Sequence, residues 1–437
     1  MKNILKHIGV MIILLIIYMS SLFLTSLIPR DSIKENVKET AQILNEQTNQ
    51  VFIKSILKNK DIKYDNYTDA LMINTAYSID ENSPLESILL CRKNYIPGVT
   101  KIVFPDTASE LKSASKYKEL DQVGELNDTV NNDIEESFEY ARYWHGYLVI
   151  LRVLLCFFNI NTIRIIFITL FIMLLAWLLY LIYKKLDIYT ALIFLVAFIG
   201  IEYLKIGFAL QSSSVFFIMI ISSIYLMYRY DKIKNFTILF LVIGSLASFF
   251  DLLTVPLITL GIPFTLFFLL KQKEKELSFK ETIIWIFKLA LSWGMGYVVT
   301  WISKWIIVDI ICDRNVFEIS IEQFLYRSTG NNVKFIDTFF TNYYYIRGFI
   351  IVASTISLIY IIKNAKNFTN KVEFVRTIPY ITVTIMPIAW YFILKQHSFQ
   401  HFFFTYRNTI LLVIGISLII KNLFKEDSNI KRLEEKT

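Results

Sequence analysis

Residues 8–28 read IGVMIILLIIYMSSLFLTSLI, a run without a charged side chain. A helix of about 20 apolar residues is long enough to cross the hydrocarbon core of a bilayer. The run follows MKNILKH, so Lys2 and Lys6 give it the basic start of a secretion signal. It is long for the apolar part of such a signal, and no A-x-A cleavage pattern follows. It is therefore read as an uncleaved first span. Similar apolar stretches lie at 162–183, 187–206, 212–228, 236–250, 254–271, 281–308, 346–362, 377–394 and 408–421. Together they predict an all-α polytopic membrane protein of about ten transmembrane helices. The 236–250 stretch is short, and 236–271 reads alternatively as a re-entrant hairpin.

The composition agrees. Of 437 residues, 55% are hydrophobic and only 19% charged, with mean hydropathy +0.49. These values exclude a soluble multidomain enzyme, a disordered tail protein and a fibrous repeat. The net charge of +8 is not a nucleic-acid footprint if it follows membrane sidedness. With the N-terminus inside and the spans alternating, the inner segments hold 20 Lys and Arg, against six in the short outer loops. That bias predicts cytoplasmic N- and C-termini. The chain then divides into a first span at 1–28, an outer loop domain at 29–161, a bundle of about nine further spans at 162–423, and a cytoplasmic tail at 424–437.

The long outer loop is the one large water-soluble part, with 20 Asp and Glu against 14 Lys and Arg over residues 29–146. It opens with SIKENVKETAQILNEQTNQVFIKSILKN, residues 32–59, whose apolar positions recur with rough helical spacing. The stretch is either an amphipathic helix on the membrane surface or a helix packed on its own loop. Pro84, Pro97 and Pro105 mark loops beyond it. The loop closes with YARYWHGYLVILRVLLCFFN, read as an interfacial helix rich in aromatics. Cys91, Cys156 and Cys312 have no motif spacing, so they form neither a disulfide framework nor a zinc site.

Ionisable groups at membrane depth are costly and serve as functional candidates. On this topology nearly all the unexplained ones fall at the outer face. Asp69 lies in TDALMINTAYS, where an apolar setting suits a general base; a helix N-cap at Thr68 or Asp69 is the plainer reading. Asp251, in FFDLLTVP, is either a turn former or a carboxylate that orients an acceptor hydroxyl or a cation. His397 and His401 share one helical face in QHSFQH. Three readings fit them: a divalent metal, a phosphate shared with Arg407, or an interfacial aromatic belt. Arg152 suits an anionic lipid headgroup, or snorkels to the interface. Glu202 and Lys205 read as a structural pair. No Walker loop, dinucleotide fingerprint, nucleophile elbow or zinc motif is present in the sequence.

This layout resembles the polytopic GT-C glycosyltransferases: one N-terminal span, a long outer loop with a carboxylate and interfacial helices, then many spans with short loops. The resemblance implies an inverting transferase that moves a sugar from a polyprenyl-phosphate donor to a surface glycan, lipid or protein acceptor. It places the protein in a bacterial plasma membrane, as part of cell-envelope chemistry, with the active site facing outward and the bilayer, not nucleic acid, as its surroundings. Asp69 maps to the loop carboxylate, and WHGYLVILR to the helix beside the donor. His397, His401 and Arg407 map to donor-phosphate contacts; Arg152, from its own apolar surroundings, is a further phosphate-binding candidate, and Asp251 a second catalytic candidate. The acidic pair common in that class is absent, since Ala70 follows Asp69. No resident cofactor is expected, a divalent cation being the one candidate. A flippase or transporter of lipid-linked saccharide, and a surface-glycan polymerase or ligase, are the competing functions.

Overall fold

The computed structural model describes residues 2–47, 51–53, 62–63, 65–94, 122–132, 134, 136–329, 333–364 and 374–422. The expected tail at 424–437, Pro97 and Pro105 lie outside these residues. The fold is helical, with two small antiparallel ribbons. Helix α1 (Lys2–Ser26) leads into the segment expected above to be the outer loop, called the outer segment for that expectation alone. That segment contains α2 (Asp31–Gln47), β1 (Val51–Ile53), β2 (Ile62–Lys63), α3 (Asn66–Tyr77) and α4 (Pro84–Leu90). It continues through β3 (Lys93–Asn94), α5 (Gln122–Asn132), β4 (Ser137–Phe138) and α6 (Leu148–Leu155). The bundle follows with α7 (Ile160–Lys185), α8 (Ile188–Gly200), α9 (Leu210–Arg229), α10 (Phe236–Phe250), α11 (Leu257–Glu274) and α12 (Phe279–Cys312). Then come α13 (Val316–Thr329), α14 (Phe335–Tyr344), α15 (Arg347–Asn364), α16 (Phe374–Ile393), α17 (Lys395–Gln400), α18 (Phe402–Thr405) and α19 (Ile410–Lys421).

Among the described residues, five helices rather than ten are long and apolar enough to cross a membrane by length and composition: Ile4–Ser26, Ile160–Lys185, Leu210–Lys232, Phe279–Cys312 and Phe402–Lys421. The expected count was too high because several apolar stretches make shorter helices. Ile188–Gly200 has 13 residues and Phe236–Phe250 has 15. At 1.5 Å per residue, such helices fall short of the roughly 30 Å hydrocarbon core. Pro379 and Pro387 lie inside α16, which runs as one helix over Phe374–Ile393.

Cross-helix bonds gather at two ends of the bundle. At one end, His7 meets Thr237 at 2.8 Å, Lys273 donates to Lys185 O at 2.9 Å, and Lys421 pairs with Asp187. At the other, Gly146 N donates to Phe249 O at 2.9 Å and Tyr406 donates to Glu202 at 2.9 Å. His7 and Lys421 therefore place the start of α1 and the end of α19 at the same end.

The outer segment packs as protein, not as a surface float. Ile33, Val37, Ala41 and Leu44 of α2 are buried in one cluster with α3, α5 and α6. Of the two readings of this helix, the packed one is what the structure shows. The helix also stops at Gln47, earlier than the pattern over 32–59 indicated. Val51 and Ile53, β-branched, instead pair with β2. The expected interfacial helix is likewise cut back: Tyr140–Gly146 form a buried loop, and helix begins only at Leu148.

Two glycines set the closest helix pair. A Cβ on Gly244 of α10 would sit 2.0 Å from Trp293 O, and one on Gly296 of α12 would sit 2.0 Å from Leu241 O. Small residues let helix backbones approach in this way. Ser245 and Thr300 bond across the same seam at 2.7 Å. Gly296→Ala should therefore cost about 1–3 kcal/mol through overpacking. Gly294→Ala, whose Cβ would meet nothing within 4 Å, should be neutral or gain about 0.5–1 kcal/mol. Thermal unfolding of the two variants in one detergent checks the contrast.

Candidate functional site

The site is built on the loop EYARYWHGY, residues 139–147. Tyr140 N donates to Leu90 O at 2.9 Å and so ties the loop to α4. The indoles of Trp301 and Trp305 on α12 both donate to Arg142 O, at 3.0 Å each. Tyr143 stacks on Trp301, with ring centroids 6.0 Å apart. His145 is fully buried between Tyr147 OH at 3.0 Å and Tyr140 O at 3.1 Å. Burial holds its pKa down at about 3. It is a neutral brace of the loop.

Asp251 follows α10 directly. Its carboxylate accepts Thr254 N at 2.9 and 3.0 Å and Thr254 Oγ1 at 2.5 Å. This is the turn that Asp favours. The turn is also strained: Leu253 has φ +63°, a region an L side chain seldom enters. The strain turns the Leu253 carbonyl toward His397, whose Nε2 donates to it at 2.9 Å. Burial lifts the Asp251 carboxyl to about 7, outweighing the Thr254 bonds that lower it.

His397 on α17 is 2% exposed. Because Nε2 carries the proton given to Leu253, Nδ1 is left as a bare acceptor. That atom is buried and has no partner. His401 lies beside it, ring centroids 4.8 Å apart, and stacks on Phe404. Burial first, and the nearby Arg327 charge second, push both imidazoles down, His401 to about 4. Among the described residues no group of three or more His, Cys, Asp or Glu is placed to hold a metal ion.

Arg327 on α13 is the residue that sequence reasoning missed as a site candidate. Its Nη1 donates to Tyr143 OH at 2.6 Å, and its guanidinium lies 5.9 Å from the Tyr143 ring centroid. Its described polar partners are phenols, not carboxylates. Its charge reaches both histidines, and it shares the Tyr143 and Tyr297 environment with Asp251. In the sequence it was one of six basic residues in outer loops. Nothing in its neighbours signalled the histidines 70 residues on.

The other predicted residues lie elsewhere. Asp69 is fully buried, with Oδ2 held by Arg164 Nη2 at 2.7 Å and Oδ1 by Leu210 N at 2.8 Å. Both oxygens are engaged in joining the outer segment to α7 and α9. The cap of α3 is Asp65, which accepts Thr68 N, and not Thr68 or Asp69. Burial raises the Asp69 carboxyl to about 6 even beside Arg164. Arg152 is 1% exposed and donates to Thr25 O, Ala76 O and Ile28 O. It staples three segments together through their backbone. Arg407 turns from the histidines toward Ser212, 3.4 Å away, and stacks over Tyr406. Glu202 and Lys205 pair at 2.8 Å as expected. The structure thus brings His397 and His401 together, ties them to the Asp251 turn through Leu253 O, adds Arg327, and leaves Asp69, Arg152 and Arg407 outside that group.

One cavity of about 510 Å³ opens on the outer segment, lined by polar residues including Arg30, Lys34, Asp80 and Arg92. It contains none of the clustered residues. Comparison of the chain with protein-family models, with curated proteins and with solved structures found no match in any of the three.

Proposed function

We propose that the protein is a membrane glycosyltransferase. It moves a sugar from a polyprenyl-phosphate donor to an acceptor hydroxyl at the outer leaflet of a bacterial plasma membrane. The observation that carries the reading is that the charge of Arg327 reaches the His397, His401 pair, while His397 is bonded to the Leu253 carbonyl of the turn that Asp251 closes. A carboxyl lifted to about 7 is matched to base chemistry near neutral pH. His397 Nδ1, bare and buried, is a ready acceptor for a hydroxyl proton and helps orient it. Arg327 supplies a fork suited to a phosphate.

In the reaction, the acceptor oxygen attacks C1 of the sugar while Asp251 takes its proton. The bond from C1 to the phosphate oxygen breaks, and the electron pair stays on the polyprenyl phosphate. Arg327 offsets the charge that develops there. A single displacement inverts C1. Asp69 and Arg152 bond across separate segments of the chain and hold the outer segment in place, whereas the bonds to Asp251 come from its own turn. The His7–Thr237 and Lys421–Asp187 contacts put the start of α1 and the end of α19 at one end of the bundle, and this reading takes that end as the cytoplasmic one. Gln400→Cys should then label with an impermeant maleimide from outside intact cells. Labelling only after the inner face is exposed would reverse the orientation.

The function is tested by reconstituting the protein in vesicles with polyprenyl-phosphate hexose and pentose donors and candidate surface-glycan acceptors. A new glycosidic bond, with release of polyprenyl phosphate, is the expected result. Movement of lipid-linked sugar between leaflets without any new bond would make the protein a flippase.

A further inference from the structure

Lys304 of α12 is fully buried. Its Nζ donates to Leu89 O at 2.6 Å, lies 3.9 Å from Cys91 Sγ, and sits 5.5 Å from the Trp144 ring centroid. Among the described residues no carboxylate pairs with it. Burying a lysine without one is expensive, and such lysines commonly have chemistry to do. Cys91 is held equally firmly. It caps α4 with φ +52°, is 1% exposed, and places its Sγ 3.3 Å from Ile88 O. The thiol and the amine therefore face each other across the contact between α4 and α12, with the Cys312 thiol close enough to influence both.

We infer that Lys304 and Cys91 are the two halves of an oxidative cross-link, in which one oxygen atom joins Nζ to Sγ. The oxidant is dioxygen. Amine, thiol and dioxygen give an N–O–S bridge and one water. The N–H and S–H bonds each lose one hydrogen to that water. Nitrogen and sulfur are each oxidised by two electrons, and dioxygen takes all four. The reacting amine is the neutral form, so its third proton leaves to solvent before the step. A bridge here fastens α4 to α12 and fixes the loop beneath it, since Cys91 Sγ also lies 3.9 Å from Tyr143 O. Oxidation would thus stiffen the wall that carries Tyr143 toward Arg327. The inference does not depend on the glycosyltransferase reading.

Mass spectrometry of the purified full-length chain tests it. One sample is kept in air-saturated buffer and one under argon with dithiothreitol. Both are denatured, alkylated with iodoacetamide and digested. The air sample should yield a linked pair of peptides containing residues 91 and 304. Their mass should equal the sum of the two peptides plus one oxygen and minus two hydrogens. Dithiothreitol should remove the link and restore alkylation of Cys91. Cys91→Ser and Lys304→Arg should each abolish it, and Cys156→Ser should keep it. Complete alkylation of Cys91 in the air sample would overturn the inference. So would a disulfide from Cys91 to Cys312, or a sulfinic or sulfonic acid at Cys91 with Lys304 unmodified.

Discussion

Arg164→Met is expected to lower folding stability by about 3–5 kcal/mol, because it strands a buried carboxylate. Arg164 and Asp69 are 2% and 0% exposed in their side chains and meet at 2.7 Å. Arg164 also donates to Gln47 at 2.8 Å and Asn66 at 3.1 Å, so the variant unfastens α2 and α3 together. Thermal unfolding in a fixed detergent measures the loss. The double variant Arg164→Met with Asp69→Leu should recover much of it, since removing both charges removes the stranded one. The loss should also depend on pH in a defined sense. The folded Asp69 carboxyl sits at about 6 rather than 3.8, so the fold holds this proton more tightly than the unfolded chain does. Its contribution is fully present below 3.8 and is lost as pH rises toward 6. Without Arg164 the carboxyl rises further, and the penalty of ionising it grows. The deficit of the variant should therefore be small in acid and full above neutrality. A deficit independent of pH would show that packing, not charge, is what Arg164 supplies.

Asp251→Asn should reduce sugar transfer about 10²–10⁴-fold, the usual contribution of a positioned general base. Asparagine keeps an oxygen that can accept from Thr254 N, so the turn and the fold should survive. The wild-type rate should fall as pH drops below about 7, where the Asp251 carboxyl takes up its proton. The sign is that of a base: active when ionised, silent when protonated. Initial rates across pH, with expression and melting temperature of the variant as controls, check both statements. Full transfer by Asp251→Asn would remove this carboxylate from the mechanism.

The sequence made the helical membrane class legible, because charge-free runs of span length have few other uses. The gathering of unexplained charges on one side was an expectation that rested on the ten-span count. Within the site, Asp251 and the His397, His401 pair were visible as polar residues in apolar surroundings. What stayed hidden depended on partners far along the chain. Asp69 and Arg164 are 95 residues apart, and no local pattern announces that they neutralise one another. Arg152 finds backbone carbonyls, which every residue has, so its role as a staple leaves no mark in composition. Arg327 was hidden for the opposite reason. The sequence reading put it in an outer loop as one of six basic residues, and only the folding of α13 against the 139–147 loop brings it to Tyr143 and near the histidines. The span count erred because hydropathy does not register where a helix ends. Ile188–Gly200 and Phe236–Phe250 end short of span length within stretches that looked continuous.

The most direct measurement is the rate at which the purified protein releases polyprenyl phosphate from a polyprenyl-phosphate sugar in the presence of acceptor. It should be made side by side for wild type, Asp251→Asn and Arg327→Met. Wild type should release polyprenyl phosphate in step with formation of an inverted glycosidic bond. Asp251→Asn should lose that rate while still binding the donor, and Arg327→Met should lose about 10²–10³-fold through weaker stabilisation of the leaving phosphate. Equal rates in all three proteins, or no release by the folded wild type with any donor offered, would contradict the account.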